Sequence, residues 1–223
     1  MVRYTGQSNA YDIPNNIIYL GDLLFSWDTG DSLVGWTLGG NTVPTIAVDG
    51  RMRLYDATAG GGNSNAYYTI PNSKGALWHV VSAKLTRMVD DTSTDSRAMI
   101  FQFGGVTSFD RGHEWAHRGT SNQILYAWLN QGAVGALALA SDVPAAGVET
   151  RIDLVLTPKG VIFLADGVQK YQFPVSMSPL SPSALQSDFA GDKVIRFQVG
   201  HAAGQVSHWR VRDIRVSRLV GQS

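Results

Sequence analysis

Hydrophobic and polar residues alternate along much of this chain, most clearly between residues 150 and 174. Every second residue from Ile152 to Leu156 is aliphatic, which is the period of a half-buried β-strand. A Thr-Pro-Lys-Gly turn at 157–160 leads into a second strand at 161–165. Asp166-Gly167 is typical of a tight hairpin and returns the chain into a third strand. Three consecutive antiparallel strands predict a sheet that a second sheet must cover.

The same alternation predicts strands through the rest of the chain, at 17–27, 36–48 (interrupted at Gly39-Gly40 and Pro44), 51–55, 66–70, 78–88, 98–103, 124–129, 134–139, 194–199 and 209–216. Asp49-Gly50 predicts a second hairpin. The segments 59–65 and 104–122 are predicted to be loops because glycine or charged residues interrupt the alternation. No segment shows a convincing amphipathic helix, so we expect an all-β fold of two packed antiparallel sheets.

The last predicted strand changes phase along its length. Trp209 and Val211 lie in one phase, whereas Ile214 and Val216 lie in the other. A β-bulge near Arg212-Asp213 would bring all four apolar residues to the same face of the sheet. The sequence therefore predicts a bulge at that point.

Composition restricts the possible partners. The 223 residues suit one β-sandwich domain, and 18 basic residues balance 18 acidic ones. We therefore expect neither nucleic acid nor a membrane as partner. The chain has no cysteine, which fits cytosolic folding, and the sequence predicts neither a signal peptide nor a membrane span.

Residues 1–22 are predicted to form an extended N-terminal arm, and residues 23–223 a single domain. The arm begins with a polar stretch that buries little on its own. Two interpretations stay open: a mobile terminus, or an arm that becomes ordered on a neighbouring subunit. In the second case the anchors would be Tyr4, Tyr11, Ile13 and Ile17.

Several of these segments resemble the concanavalin-A-like or laminin-G-like jelly roll. They are Gly35-Trp36, 48–54, 76–80, the pair 152–156 and 163–168, and the closing strand 209–216. The resemblance covers residues 23–219. It implies an antiparallel two-sheet jelly-roll sandwich, with glycan recognition as the commonest use of the fold. The family includes lectins, carbohydrate-binding modules, polysaccharide-cleaving enzymes and accessory domains of viral adhesins.

Residues 113–117 match the H-E-x-x-H motif of zinc proteases. That chemistry requires a helix, because only a helix brings residues four apart onto one face within reach of one metal. Glycines bracket the motif and the neighbouring segments are strands. The sequence therefore favours an ordinary polar loop over an adventitious two-histidine metal site, and both over a protease.

Other catalytic motifs are equally isolated. Residues 30–33 match the G-D-S-L element of an esterase family, and Asp110 with His113 matches its second motif. The helix that must follow Ser32 is absent, so a turn is favoured. Glycoside hydrolysis needs two nearby carboxyl groups, but the two glutamates, Glu114 and Glu149, share no motif. We therefore expect no catalytic activity.

Calcium is left open by the resemblance, because the family often binds it through loop carboxylates. Asp28, Asp31 and Asp213 are the residues that can meet where the first and last strands pair. Solvated turn aspartates are the favoured interpretation, so no cofactor is assigned.

A sugar site requires exposed aromatic rings surrounded by polar groups. One cluster in the sequence meets that description: His113, Trp115, His117, Asn122, Tyr126 and Trp128. We predict that these residues bind a glycan.

Taken together, these features favour a non-enzymatic jelly-roll protein. The first hypothesis is a homo-oligomeric virion subunit, a phage capsid-decoration or tail-associated protein. It would contact its own or other virion subunits through the arm, and it can also recognise cell-surface polysaccharide. It would be located in the virion after assembly in the host cytoplasm. The alternatives are a carbohydrate-binding module of a bacterial protein, with an extracellular location, and a polysaccharide lyase or glycosidase of the same fold.

Overall fold

The computed structural model describes residues 3–5, 10–13, 16–71, 78–105, 112–130, 133–157, 160–174 and 191–221. Within them lie the following strands: β1 Arg3–Thr5, β2 Ala10–Ile13, β3 Asn16–Trp27, β4 Thr37–Gly40, β5 Thr45–Ile46, β6 Met52–Asp56, β7 Gly62–Ile70, β8 His79–Arg87, β9 Met99–Gly105, β10 Gly112–Arg118, β11 Gln123–Asn130, β12 Ala133–Ala140, β13 Glu149–Thr157, β14 Gly160–Ala165, β15 Val168–Pro174, β16 Lys193–His201 and β17 Ser207–Gly221. Among these residues there is no helix long and apolar enough to cross a membrane.

The strands form two antiparallel sheets. The ten-stranded sheet has the order β3-β2-β1-β15-β14-β13-β8-β17-β6-β5, and the seven-stranded sheet has the order β12-β11-β10-β9-β16-β7-β4. Alternate residues of each strand point into the space between the sheets, where they form an aromatic-rich core. Phe101 and Phe197 stack there with ring centroids 4.9 Å apart. The predicted two-sheet sandwich is confirmed.

Both predicted hairpins are present. Asp166 and Gly167 have φ angles of 49° and 75°, the two positive values that a type I′ turn requires. At the second hairpin Gly50 has φ 77°, and its N–H donates to the carbonyl of Ala47 at 2.9 Å. Each glycine therefore supplies a left-handed conformation at the turn.

The predicted bulge in β17 is also confirmed. The register between β17 and β8 shifts between Arg212 and Arg215, and Asp213 has φ 50°. Before the bulge β17 lies between β8 and β6, and after it lies between β8 and β3. The extra residue keeps one apolar face along the whole strand, so that four residues are fully buried: Trp209, Val211, Ile214 and Val216.

Two predicted loops are wrong over part of their length. Strand β7 begins at Gly62, within the predicted loop 59–65, and β10 occupies 112–118 within the predicted loop 104–122. Strand β10 pairs with β9 on one side and β11 on the other. Glu114 is accommodated in β10 because a central strand can bury a polar group that has partners. The sequence pattern does not reveal those partners.

The N-terminal strands pair within this chain. Tyr4 of β1 is opposite Tyr11 of β2, β2 continues onto β3, and β3 pairs with β17. Strand β3 crosses the predicted boundary at residue 22, and the division into arm and domain stays a prediction. Ile13 and Ile17 also lie in these strands.

Candidate functional site

The predicted site begins on strand β10, whose two faces differ in character. His113, Trp115 and His117 point into the core between the sheets, whereas Glu114 lies on the outer face. Because a strand rises about 3.3 Å per residue, the two histidines are roughly 13 Å apart along it. That separation prevents them from binding one metal ion, so the H-E-x-x-H match has no zinc-protease geometry here.

His113 is fully buried among aromatic rings. Its Nε2 lies 3.2 Å from Nε2 of His79, and its ring lies edge-on to that of Trp128 at 5.4 Å. Burial lowers the pKa of His113 to about 3, because the charged form cannot be hydrated there. At neutral pH His113 is therefore uncharged, and one of the two rings donates an N–H hydrogen bond to the other.

His117 and Asn122 lie at the end of the β10–β11 hairpin. His117 Nε2 is 3.4 Å from Asn122 Oδ1, and Asn122 is exposed with φ 46°. Burial lowers the pKa of His117 to about 4, with Arg87 adding to the shift. His117 contacts the ring of Trp209 at 5.7 Å, so it is part of the core and not of a surface loop.

The three aromatic residues of the predicted glycan site are buried. Trp115 pairs with Tyr126 and His113 pairs with Trp128 across β10 and β11, and all face inward. Trp115, Tyr126 and Trp128 are 2%, 1% and 0% exposed. The expectation of exposed rings is therefore wrong, because alternation directs these positions into the core. Glycan binding by the six residues stays a prediction, but the exposed aromatic rings on which it was based are absent among them.

Two of the six predicted residues nevertheless border a cavity. It measures about 340 Å³, near the lower end of the range for small-molecule sites. The cavity lies between β10 and β11 of one sheet and β13 to β15 of the other. We call it the Tyr126 cavity, and its lining residues are Trp115, Tyr126, Asp142, Pro144, Thr150, Ile152, Ala165, Asp166, Val168 and Lys170.

Polar groups meet at the mouth of the Tyr126 cavity. Lys170 Nζ lies 3.1 Å from Asp142 Oδ2, and Tyr126 Oη donates to Asp142 Oδ1 at 3.4 Å. Burial, and then the negative charge of Asp142, raises the pKa of Tyr126. The ring of Tyr126 stacks on that of Tyr171 with centroids 5.8 Å apart, which fixes the direction of its hydroxyl.

A second carboxylate is held at the cavity by the β14–β15 hairpin. Asp166 Oδ1 accepts the N–H of Arg151 at 2.9 Å, and the N–H of Asp166 donates to the carbonyl of Arg151 at 2.8 Å. The turn therefore sets the position of the carboxylate. Sequence reasoning missed Asp142, Asp166 and Lys170 as site residues, because they come from a loop, a turn and strand β15. The only signal in the sequence was the Asp166-Gly167 turn.

The G-D-S-L match and the two glutamates do not form a catalytic arrangement among the described residues. Ser32 Oγ accepts the N–H of Val34 at 3.4 Å, as a turn residue does, and Asp110 lies outside the described residues. Glu114 and Glu149 lie on opposite outer faces of the sandwich. Because packed sheets are about 10 Å apart, these two carboxyls cannot flank one glycosidic bond.

Two of the three aspartates considered for calcium form ion pairs, and the third accepts a backbone hydrogen bond. Asp28 pairs with Arg215, and Asp213 pairs with Lys84 at 2.9 Å. Asp31 Oδ2 accepts the N–H of Asp28 at 2.5 Å. Within the described ranges no group of three or more histidine, cysteine or acidic residues has an arrangement that could hold a metal ion.

Solved structures decide the fold. A protein of unknown function from Bacillus subtilis with a galectin-like fold matches with a TM-score of 0.62 and 13% identity, over 91% of this chain and 99% of that one. The Emp47p carbohydrate recognition domain matches with a TM-score of 0.63 and 10% identity, over 87% and 95%. The present chain has a concanavalin-A-like jelly-roll fold.

This jelly roll also resembles the exoplasmic/lumenal domain of VIP36 in its Ca²⁺/Man3GlcNAc-bound form. The TM-score is 0.62 at 9% identity, over 91% of this chain and 92% of that domain. No protein-family model matches the sequence, and no curated protein matches it. At these identities the likeness establishes the fold alone.

Proposed function

We propose that this jelly roll is a carbohydrate-binding module and that the Tyr126 cavity is its glycan site. The observation that carries the proposal is the meeting of aromatic, aliphatic and carboxylate groups in one cavity between the sheets. Sugars present both apolar C–H faces and hydroxyl groups, and this mixed lining is complementary to both. The lectin-like structural neighbours support the proposal at the level of fold.

Each part of the lining has a role in this proposal. Asp142 and Asp166 accept hydrogen bonds from sugar hydroxyls, and Lys170 orients Asp142 through their ion pair. Pro144 and Val168 supply apolar surface at the rim. The volume suits one sugar unit or the end of a longer chain, with the remainder outside.

The test is retention of the purified protein on a panel of immobilised bacterial polysaccharides, with and without calcium. We expect selective retention that is independent of calcium. The variant Asp142→Asn should weaken retention at least tenfold, because charged hydrogen bonds contribute about 1.5–3 kcal/mol. Tyr126→Phe, which removes the hydroxyl hydrogen bond to Asp142 but keeps the ring, should cause a smaller change.

Asp90→Asn is the matched control, since Asp90 is an exposed aspartate that pairs with His208 outside the cavity. It should leave retention unchanged. Equal retention of all three variants would move the glycan site elsewhere on the molecule, and no retention on any glycan would remove the proposed function.

We further propose that the module does not catalyse cleavage. The Emp47p carbohydrate recognition domain and the VIP36 domain, which have similar structures, are consistent with binding alone. Glu114 and Glu149 are also too far apart to act together on one glycosidic bond. A polysaccharide lyase or glycosidase is the alternative. New reducing or unsaturated ends after incubation with a retained polysaccharide would favour it.

The virion role, the virion location and the homo-oligomer stay proposals. They were motivated by an N-terminal arm free to contact a neighbouring subunit, whereas β1, β2 and β3 pair within the chain. An extracellular binding module needs no such arm, and the proposed function stands without it.

A further inference from the structure

The ten-stranded sheet closes on itself over part of its width. The pairing runs β3-β2-β1-β15-β14-β13-β8-β17, and β17 pairs with β3 to complete the circuit. We call these eight strands the closed ring. On β8, β13, β14 and β17 the outer side of the ring packs against the seven-stranded sheet, and the inner side holds a separate apolar cluster: Val80, Val155, Ile162, Leu164 and Leu219. An eight-stranded closure leaves an interior that side chains fill or that holds one small ligand.

A cavity of about 340 Å³ opens into this ring. Leu20 and Val80 connect it to the apolar cluster, and Ser82 and Ser217 add hydroxyl groups. We call it the Arg151 cavity, and its complete described lining is Leu20, Val80, Ser82, Lys84, Arg151, Asp213, Arg215 and Ser217. The mouths of closed β-sheets are recurring positions of ligand sites.

Positive charge predominates in the lining of the Arg151 cavity. Lys84, Arg151 and Arg215 line it, and their side chains are 36%, 31% and 37% exposed. Asp213 is the single carboxylate in the described lining. Asp213 forms an ion pair with Lys84 at 2.9 Å, so the described lining carries two more cationic groups than carboxylates.

The acidic partners that the structure describes for these two arginines, Asp153 and Asp28, do not line the cavity. Arg151 Nε donates to Asp153 Oδ1 at 2.8 Å, and Asp153 is fully buried beside it on β13. Arg215 pairs with Asp28 and donates to the carbonyl of Ile214 at 2.9 Å. These bonds hold both guanidinium groups at the rim, where a ligand from solvent meets them first.

We propose that the Arg151 cavity binds a small organic anion with a short apolar chain. The carboxylate of the ligand lies between Lys84, Arg151 and Arg215, since guanidinium groups bind carboxylates in a planar, charge-assisted geometry. Its apolar chain lies against Leu20 and Val80. This site is separate from the Tyr126 cavity and does not depend on glycan binding there.

The experiment is titration of the ¹⁵N-labelled full chain with hexanoate, followed by amide chemical shifts. Saturable shifts are expected at Ser82, Lys84 and Ser217. Hexanol, which lacks the charge, and sulfate, which lacks the chain, should each bind at least tenfold more weakly. Shifts that do not saturate by 10 mM hexanoate, or equal binding of hexanol, would overturn the proposal.

Two variants locate the site. Arg151→Gln and Lys84→Gln should each weaken hexanoate binding at least tenfold, and Lys84 is exposed enough for its variant to fold if Arg151→Gln does not. Arg53→Gln is the control: Arg53 lies over the ring of Tyr55 at 4.1 Å, outside the described lining. Loss of binding in Arg53→Gln alone, or unchanged binding in Lys84→Gln, would contradict the site.

Discussion

His113 and His117 in the core between the sheets, and Asp153 in the closed ring, are buried titratable groups of opposite kinds. The core between the sheets is rich in aromatic residues and contains His113 and His117, whose pKa values burial lowers to about 3 and about 4. The closed ring has an aliphatic interior and contains Asp153 beside Arg151. Burial raises the pKa of Asp153 to about 6, although the Arg151 charge opposes the shift.

Burial favours the neutral form in both places, but the consequence at neutral pH differs. The histidines are already neutral at pH 7, so the aromatic core holds them at little electrostatic cost. Asp153 is charged at pH 7, so the ring depends on the Arg151 ion pair to keep a carboxylate inside. The core between the sheets therefore holds these two histidines as neutral groups, whereas the smaller interior of the closed ring holds a charged pair.

The first prediction compares the stability lost when a buried leucine is replaced by alanine in each interior. Leu154→Ala removes a side chain of the aromatic core, and Leu164→Ala removes one of the ring; both leucines are at most 1% exposed. We expect losses in the free energy of unfolding of about 4 kcal/mol for Leu154 and about 2 kcal/mol for Leu164, within the range for buried leucines. The ring should lose less because the Arg151 cavity gives it room to relax.

Denaturant unfolding of both variants at pH 7 measures these losses. Equal losses would mean that the ring is packed as tightly as the core between the sheets. A larger loss for Leu164→Ala would reverse the comparison, and would make ring closure the main source of stability.

The second prediction concerns Asp153, whose native pKa of about 6 exceeds the ordinary value of 3.8. Between these values the native state binds more protons than the unfolded state, so stability falls as pH rises. Relative to Asp153→Asn, the natural chain should therefore lose between about 2 and 2.5 kcal/mol from pH 4 to pH 7, at 1.36 kcal/mol per pKa unit. Denaturant unfolding of both proteins across this range measures the difference.

The charged groups around Asp153 define the control for that measurement. Arg151 on β13 contacts it, Lys84 on β8 and Arg215 on β17 line the adjacent cavity, and Asp166 acts from the β14–β15 turn. Asp142→Asn changes a carboxylate at the other cavity and should leave the pH dependence unaltered. A difference between the natural chain and Asp153→Asn that does not change with pH would show that Asp153 keeps an ordinary pKa.

How far the sequence predicts this structure depends on how local each signal is. The Asp166-Gly167 hairpin and the bulge at Arg212-Asp213 were predictable, because turn dihedrals and the alternation of a strand depend on residues that are adjacent in the sequence. Strand β10 was missed because its partners β9 and β11 decide whether a glutamate and two histidines can be buried. The two cavities were also missed, since each combines residues from distant strands, and ring closure depends on the non-local pairing of β3 with β17.

The smallest expected change in the free energy of unfolding concerns His117, in the core between the sheets. His117 is neutral in the folded chain, with the charge of Arg87, a hydrogen-bond contact to Asn122 and the ring of Trp209 around it. Its native pKa of about 4 lies below the ordinary value of 6.5, so the unfolded state binds more protons between these values. Stability from this residue is therefore complete above pH 6.5 and falls as the solution is acidified, which is opposite in sign to Asp153.

His117→Gln keeps a polar side chain towards Asn122 but removes the titration. From pH 7 to pH 5, the natural chain should lose about 2 kcal/mol more than this variant in the free energy of unfolding. Asn122→Ala, which leaves the histidine in place, should retain most of the acid sensitivity. If His117→Gln and the natural chain lost the same stability on acidification, the aromatic core would not hold His117 neutral, and the contrast with the closed ring would fail at this residue.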